Sequence, residues 1–281
     1  MLSSPFHERE KRDVNGEWPD IRGVPTDLET PPMEAGEPAP GKRVRVTRPE
    51  YEGTEVHHAL YLPVDWEHGR RYPVLVEYAG NGPYSDANGD VCTGRVEDCN
   101  LGYGISRGEG FIWVCLPYIN EDGRQDQRQW WGDVERTLKY CRETVRRVCE
   151  EFGGDPGAVV LAGFSRGAIA CNYLGLRDEE TAGLWRAFMV HSHYDGVRKW
   201  EHADGDRDSA GERLKRLRGR PQFISHEGST EATERYLEEV GIEGDFTFCA
   251  LPYRNHTDGW VLRDIPERER LRRWLCEVLK R

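Results

Sequence analysis

Residues 155–171 read DPGAVVLAGFSRGAIAC. Five apolar or small residues, Ala158 to Ala162, form a buried-strand pattern that runs straight into Gly163-Phe164-Ser165-Arg166-Gly167. A run of small residues, Ala168 to Cys171, follows at once and reads as the first turns of a helix. The pattern G-x-S-x-G is weak by itself. Between a buried strand and a helix it marks a turn so tight that side chains two residues either side of the serine would collide with it. The strain lifts the serine hydroxyl above the sheet edge. The helix that starts there aims free N–H groups and its positive end at developing negative charge. The plain alternative is a Gly-rich turn with an idle serine.

Outward from this segment the chain alternates. RVRVTR (43–48) and EVHHALYLP (55–63) alternate apolar and polar residues as half-buried antiparallel strands do. YPVLVEYAG (72–80) is a continuous apolar strand followed by a long loop, 80–109. GFIWVCLPY (110–118) is the next strand. Residues 133–152 form a helix with Val134, Leu138, Cys141, Val145, Val148 and Phe152 on one face. After the segment at 155–171, whose helix is expected over 166–176, come the strands AFMVHS, QFISH and FTFCALP. Helices over 208–218, 231–240 and 267–280 follow them in turn. Antiparallel strands followed by strand–helix alternation predict an α/β domain with a mostly parallel central sheet covered on both faces. Right-handed crossovers place the loops after the strands along one edge, where ligands bind.

Residues 1–41 are polar and rich in Pro, Gly and acids, ending PPMEAGEPAPG. They read as a flexible arm, or one draped over a single catalytic domain spanning 42–281. The chain has 281 residues, 50 Asp plus Glu against 39 Lys plus Arg, and a net charge of -11. That balance argues against nucleic acid or an anionic membrane as the main partner. The mixed-sign runs at 142–151 and 266–273 read as solvated helix faces. No stretch is apolar enough to span a bilayer, and the first residues lack a secretory apolar core. The chain therefore reads as soluble and cytoplasmic, or secreted if a leader has been removed. Of eight cysteines, Cys115, Cys141, Cys149, Cys171, Cys249 and Cys276 read as small core residues. Cys92 and Cys99 share one loop and could pair. No Cys/His cluster suggests a metal.

A serine nucleophile needs a base. His256 lies in LPYRNHTDGW (251–260), the loop after the last strand, on the predicted active edge. The acid that orients it is expected after QFISH, in EGSTE (227–231). Glu231 is the first choice, Glu227 the second, and Asp195, in the preceding strand's loop, the third. Asp258 reads as a local cap. The oxyanion donors are expected to be the backbone N–H of Arg166 and that of Asn81, with Gly80 the alternative. Aromatic residues crowd the same loops. Tyr84, Tyr118, Trp130, Trp131, Tyr194 and Trp260 are candidate substrate walls, with Tyr103, Trp200 and Tyr253 nearby. Packing on the core is an equal reading for any one of them.

The segment GGDPGAVVLAGFSRGAIAC (153–171) resembles the nucleophile region of α/β-hydrolase fold esterases related to polyhydroxybutyrate depolymerases and feruloyl or acetylxylan esterases. The likeness is close near Ser165 and fair near His256, and follows the order of elements over 43–280. It departs at EYAGNGPY (77–84), where many relatives have His-Gly, at EGSTE in place of Gly-x-x-Asp, and at VEDCNLGYGISRGEG (96–110). The resemblance implies an α/β-hydrolase fold and hydrolysis through an acyl-enzyme without metal or organic cofactor. The substrate expected is a small-molecule or oligosaccharide ester, such as an acetyl or feruloyl ester. A peptidase or acyltransferase on the same residues is the second reading. A binding protein on a hydrolase scaffold is the third.

Overall fold

A computed structural model describes residues 17–281. His7 and the rest of 1–16 lie outside the described residues. The strands are β1 (Met33–Glu34), β2 (Arg43–Val46), β3 (His58–Tyr61), β4 (Tyr72–Tyr78), β5 (Tyr84–Ser85), β6 (Val91–Cys92), β7 (Ile112–Leu116), β8 (Gly154–Phe164), β9 (Ala187–His191), β10 (Gln222–Glu227) and β11 (Phe246–Leu251). The helices are α1 (Leu101–Ser106), α2 (Val134–Glu151), α3 (Arg166–Tyr173), α4 (Glu179–Ala182), α5 (Arg207–Leu214), α6 (Glu231–Val240) and α7 (Pro266–Lys280).

Nine strands form one sheet in the order β1-β2-β3-β7-β4-β8-β9-β10-β11. β3 runs antiparallel to β2 and to β7, as the alternating pattern predicts. From β7 through β4, β8, β9 and β10 to β11 every pairing is parallel. Side chains alternate between two cores, one on each face. Val74, Val76, Val159 and Leu161 join α2, α3, α5 and α6 on one side. Leu75, Val160, Ala162 and Phe164 join α1 and α7 on the other. The sheet is thus covered on both faces, as strands without polar alternation require.

The stretch 80–109, read as a loop, holds more order than its composition suggests. β5 and β6 pair as a short antiparallel hairpin, and α1 closes the excursion. Glu77, buried in β4, anchors α1 by accepting from the N–H of Leu101 (3.1 Å) and Gly102 (2.9 Å) and from the Trp113 indole (2.8 Å). The helix expected over 208–218 shortens to α5 and ends in a 3-10 turn, Lys215–Leu217. Cys276, read as a core thiol, is exposed on α7, and Cys92 and Cys99 are both free.

Of the segment 1–41, residues 17–41 lie along the domain, and β1 pairs with β2. Ile21 is buried and its N–H donates to Asn255 Oδ1 at 2.8 Å. The Asp27 and Leu28 N–H groups donate to the Leu262 carbonyl at 3.1 and 3.2 Å, and Asp27 pairs with Arg268. Backbone hydrogen bonds and an ion pair hold this stretch where apolar content alone would not.

The bend at Ser165 depends on two glycines. A Cβ on Gly167 would sit 1.9 Å from the Tyr78 carbonyl oxygen, and one on Gly163 would sit 2.1 Å from the Gly167 backbone. Gly167→Ala is expected to push α3 off β4 and cost about 1–3 kcal/mol or more in urea unfolding. Gly211→Ala, in α5 with nothing within 4 Å, is expected to be neutral or stabilising by up to about 1 kcal/mol.

Candidate active site

Ser165 sits between β8 and α3 with φ 54 and ψ -116, a conformation non-glycine residues rarely adopt. Its N–H donates to the His191 carbonyl at 3.0 Å, which fixes the bend against β9. The loop after β11 brings His256 Nε2 to 3.1 Å from Ser165 Oγ. On the far side of the ring, His256 Nδ1 lies 2.7 Å from Glu227 Oε1. Glu227 is an acceptor, so Nδ1 carries the proton and Nε2 is left free to accept the serine hydroxyl.

The carboxylate on His256 is therefore Glu227, the last residue of β10, and not Glu231. Glu231 begins α6 with its side chain turned to solvent, in an i,i+4 pair with Arg235 at 2.9 Å. Asp195 is buried on Arg213 at 2.9 Å and does not reach the imidazole. Burial by itself would raise the Glu227 carboxyl. The hydrogen bond from His256, together with the charge interactions with His191, His226 and His256, outweighs it and holds the group well below the usual carboxylate range. Asp258 accepts from Asn100 N and Nδ2 at 3.1 and 3.0 Å.

Two residues after β9 were not singled out by sequence. Ser192, at φ 83, donates to Glu227 Oε1 at 2.6 Å. His193 Nδ1 lies 3.4 Å from Ser165 Oγ, so two imidazoles flank the hydroxyl. They are not equivalent. Burial, then the neighbouring His256 and Arg198, push His193 down to about 3, and among the described residues no carboxylate hydrogen-bonds its ring as Glu227 does that of His256. The repeated HSH directly after an apolar strand was the available signal. His191, also in HSH, is stacked on Phe164, and burial lowers it to about 4. Its Nε2 faces the Thr257 carbonyl at 3.2 Å, which makes Nε2 the protonated nitrogen.

The His256 loop is held from the 80–109 excursion. Asp90, buried, accepts from His256 N at 2.8 Å and Asn255 Nδ2 at 2.9 Å. Tyr84 meets the His256 ring edge-on at 5.3 Å between centroids.

Arg166 has a second feature that spacing could not show. Its side chain is fully buried and faces carbonyls in place of a carboxylate. The guanidinium donates to Gly80 O at 2.8 Å, Trp130 O at 2.7 Å and Gln127 O at 3.3 Å, and lies 3.8 Å from the centre of the Tyr118 ring. Asn81 Oδ1 in turn accepts from Trp130 N at 2.8 Å, and Trp130 is held at φ 53. The loops after β4 and β7 are thus locked to α3 by one buried cation. Burial lowers the Arg166 pKa, but a guanidinium starts so high that it stays charged.

A cavity of about 370 Å3 opens above Ser165, lined by Asn81, Tyr84, Cys92, Trp130, Ile169 and His193 with Arg166, Arg198, Trp200 and His256. Of the expected aromatic walls, Tyr84 and Trp130 line it, as does Trp200. Tyr118, Trp131, Tyr194 and Trp260 do not. All four are buried: Tyr118 lies under Arg166, Trp131 stacks on Tyr173, Tyr194 donates to Gln222 and Trp260 packs on His191. Loop aromatics have no periodicity that separates a wall from a core residue.

No family model and no curated protein matches the chain. Solved structures do. The chain superposes on a thermostable esterase at 16% identity and TM-score 0.51, covering 84% of this chain and 62% of that one. It superposes on a sugar hydrolase from Lactococcus lactis at 11% identity and TM-score 0.59, covering 85% and 99%. It also superposes on the Porphyromonas gingivalis dipeptidyl peptidase 4 at 16% identity and TM-score 0.52, covering 79% and 33%. The fold is the α/β-hydrolase fold. The chain spans under two thirds of the esterase and one third of the peptidase, so the likeness concerns this domain alone.

Ser165→Ala is expected to abolish labelling by a fluorophosphonate. Glu227→Gln is expected to slow labelling at neutral pH by about 10^2- to 10^4-fold, because the amide favours the wrong tautomer of His256. Glu231→Gln is expected to label at the wild-type rate. Equal slowing by both acid variants would contradict the geometry.

Proposed function

We propose that the protein is a serine hydrolase that cleaves carboxylic esters through an acyl-enzyme on Ser165. The observation that carries the reading is the continuous chain Glu227–His256–Ser165, with 2.7 and 3.1 Å between the polar atoms. Ser165 Oγ attacks the ester carbonyl carbon as its proton passes to His256 Nε2. Glu227 holds the ring in the tautomer that can accept it and stabilises the imidazolium. Collapse of the tetrahedral intermediate expels the alcohol, which takes the proton from Nε2. Water, deprotonated by the same nitrogen, then attacks the acyl group and releases the acid and the serine.

The oxyanion is assigned to the N–H groups of Arg166 and Asn81. Arg166 is the first residue of α3, where N–H groups lack an intrahelical acceptor. Arg166 Nη2 holds the Gly80 carbonyl, and in a trans peptide the following N–H, that of Asn81, points the opposite way. Among the described residues neither N–H has an acceptor. The buried guanidinium thereby positions one donor while its own backbone supplies the other, which leaves little reorganisation for the reaction to do.

For the substrate we propose a small ester, such as an acetyl or feruloyl ester of a carbohydrate. The flat faces of Tyr84, Trp130 and Trp200 around a cavity of about 370 Å3 support it, as does the resemblance around Ser165. A peptidase reading is favoured by the peptidases among the similar structures, which include dipeptidyl peptidases and an isopeptidase.

A panel of 4-nitrophenyl esters, feruloyl sugars and aminoacyl amides tests both readings. Esters are expected to give the higher kcat/KM, with Ser165→Ala and His256→Ala each lowering kcat by about 10^4-fold or more. Amides turned over faster than every ester would overturn the ester assignment. Fluorophosphonate that left a folded protein unlabelled would favour a binding role.

A further inference from the structure

The cavity above Ser165 has an electrostatic character that ester hydrolysis does not require. The chain carries a net charge of -11, yet among the described residues no Asp or Glu lines this cavity. It is lined by two arginines and two histidines. One cation, Arg166, is consumed by carbonyl oxygens. His193 is held neutral. The other cation, Arg198, is different. Its guanidinium lies 3.7 Å from the centre of the Trp200 ring and has no hydrogen bond or ion pair among the described residues. Trp200 is fixed in turn by edge contacts with Trp130 at 5.0 Å and His193 at 5.6 Å. The cation is therefore propped on an aromatic platform at the mouth of the site, with its N–H fork free.

Arg198 also borders a neighbouring cavity of about 400 Å3, where the acid, Glu231, is already paired with Arg235. Among the described residues, nothing lining either cavity neutralises Arg198. A stacked guanidinium with free donors matches a planar carboxylate bidentately. Stacking limits the side-chain freedom that binding would otherwise cost.

We propose that Arg198 on Trp200 is a carboxylate-binding subsite, so that the ester cleaved at Ser165 carries a carboxylate beside the scissile bond. This rests on the ester-hydrolase reading and deepens it. The carboxylate belongs either to the acyl part, as in a dicarboxylic half ester, or to the alcohol part, as in an acidic sugar or hydroxy acid.

Two matched pairs separate these sources. For the acyl side, 4-methylumbelliferyl hydrogen adipate is compared with its adipamate. For the alcohol side, 4-carboxyphenyl butyrate is compared with 4-carbamoylphenyl butyrate. In one pair the charged ester is expected to have the higher kcat/KM. Arg198→Gln is expected to lower that charged-to-neutral ratio about tenfold or more, and Arg198→Lys to retain part of it. Arg198 is exposed, so these variants test binding and not folding. Ratios that are the same in the wild type and in Arg198→Gln for both pairs would overturn the subsite while leaving ester hydrolysis intact. Failure to hydrolyse any of the four esters would overturn the hydrolase reading. Calorimetric titration of adipate against adipamide into Ser165→Ala then decides the subsite alone. Adipate binding that is weaker in the Ser165→Ala, Arg198→Gln double variant supports it, and binding that is unchanged or absent refutes it.

Discussion

The close approach of α3 to the sheet at Gly163 and Gly167 is the constraint from which the rest of the site follows. With no Cβ at either position, the chain reverses from β8 into α3 within a single residue, and that residue is Ser165. The hydroxyl is forced above the edge of the sheet, beside the ends of β9, β10 and β11. Each of those strands then delivers one layer of the site: His193 and Ser192 from β9, Glu227 from β10 and His256 from β11. The backbone strain at Ser165 persists because neighbouring strands and a buried cation over-determine it.

That cation ties the geometry of the candidate site to the fold. Arg166 is adjacent to Ser165, but its guanidinium reaches across to the loops after β4 and β7. Placing a charge among carbonyls costs desolvation, which multiple charge-assisted hydrogen bonds and the Tyr118 face offset. The result is a loop whose backbone orientation is set by α3 itself. On the opposite side, Asp90 and Asn255 fix the His256 backbone, and Ile21 of the N-terminal stretch docks on Asn255. Both halves of the proposed machinery are thus held by buried polar contacts made from surface excursions, not by the sheet alone.

Much of this was legible in the sequence, and what was not has identifiable causes. The sheet could be read because its strands are long, apolar and alternate with helices. Ser165 and His256 could be read because strand, turn and helix signals flank them. The acid stayed open among Glu231, Glu227 and Asp195, and the first two differ only in whether β10 or α6 owns them. The strand extends to Glu227, which puts that carboxylate on the sheet edge. The helix begins at Glu231, which turns that one to solvent. The hairpin in 80–109 was missed although Asn88-Gly89 is a turn signal, with Gly89 at φ +77. The Arg166 side chain and the burial of Tyr118, Trp131, Tyr194 and Trp260 depend on contacts far apart in sequence, which local pattern does not encode.

The proposed chemistry requires that the hydroxyl at 165 become covalently acylated. The most direct measurement is peptide mass spectrometry after brief reaction with 4-nitrophenyl acetate and acid quench, with His256→Ala as comparison. An acetyl group is expected on the peptide containing Ser165 in the wild type, with near absence in the variant. Turnover of the ester with that peptide unmodified, or with the acetyl group on Cys92 instead, would contradict it.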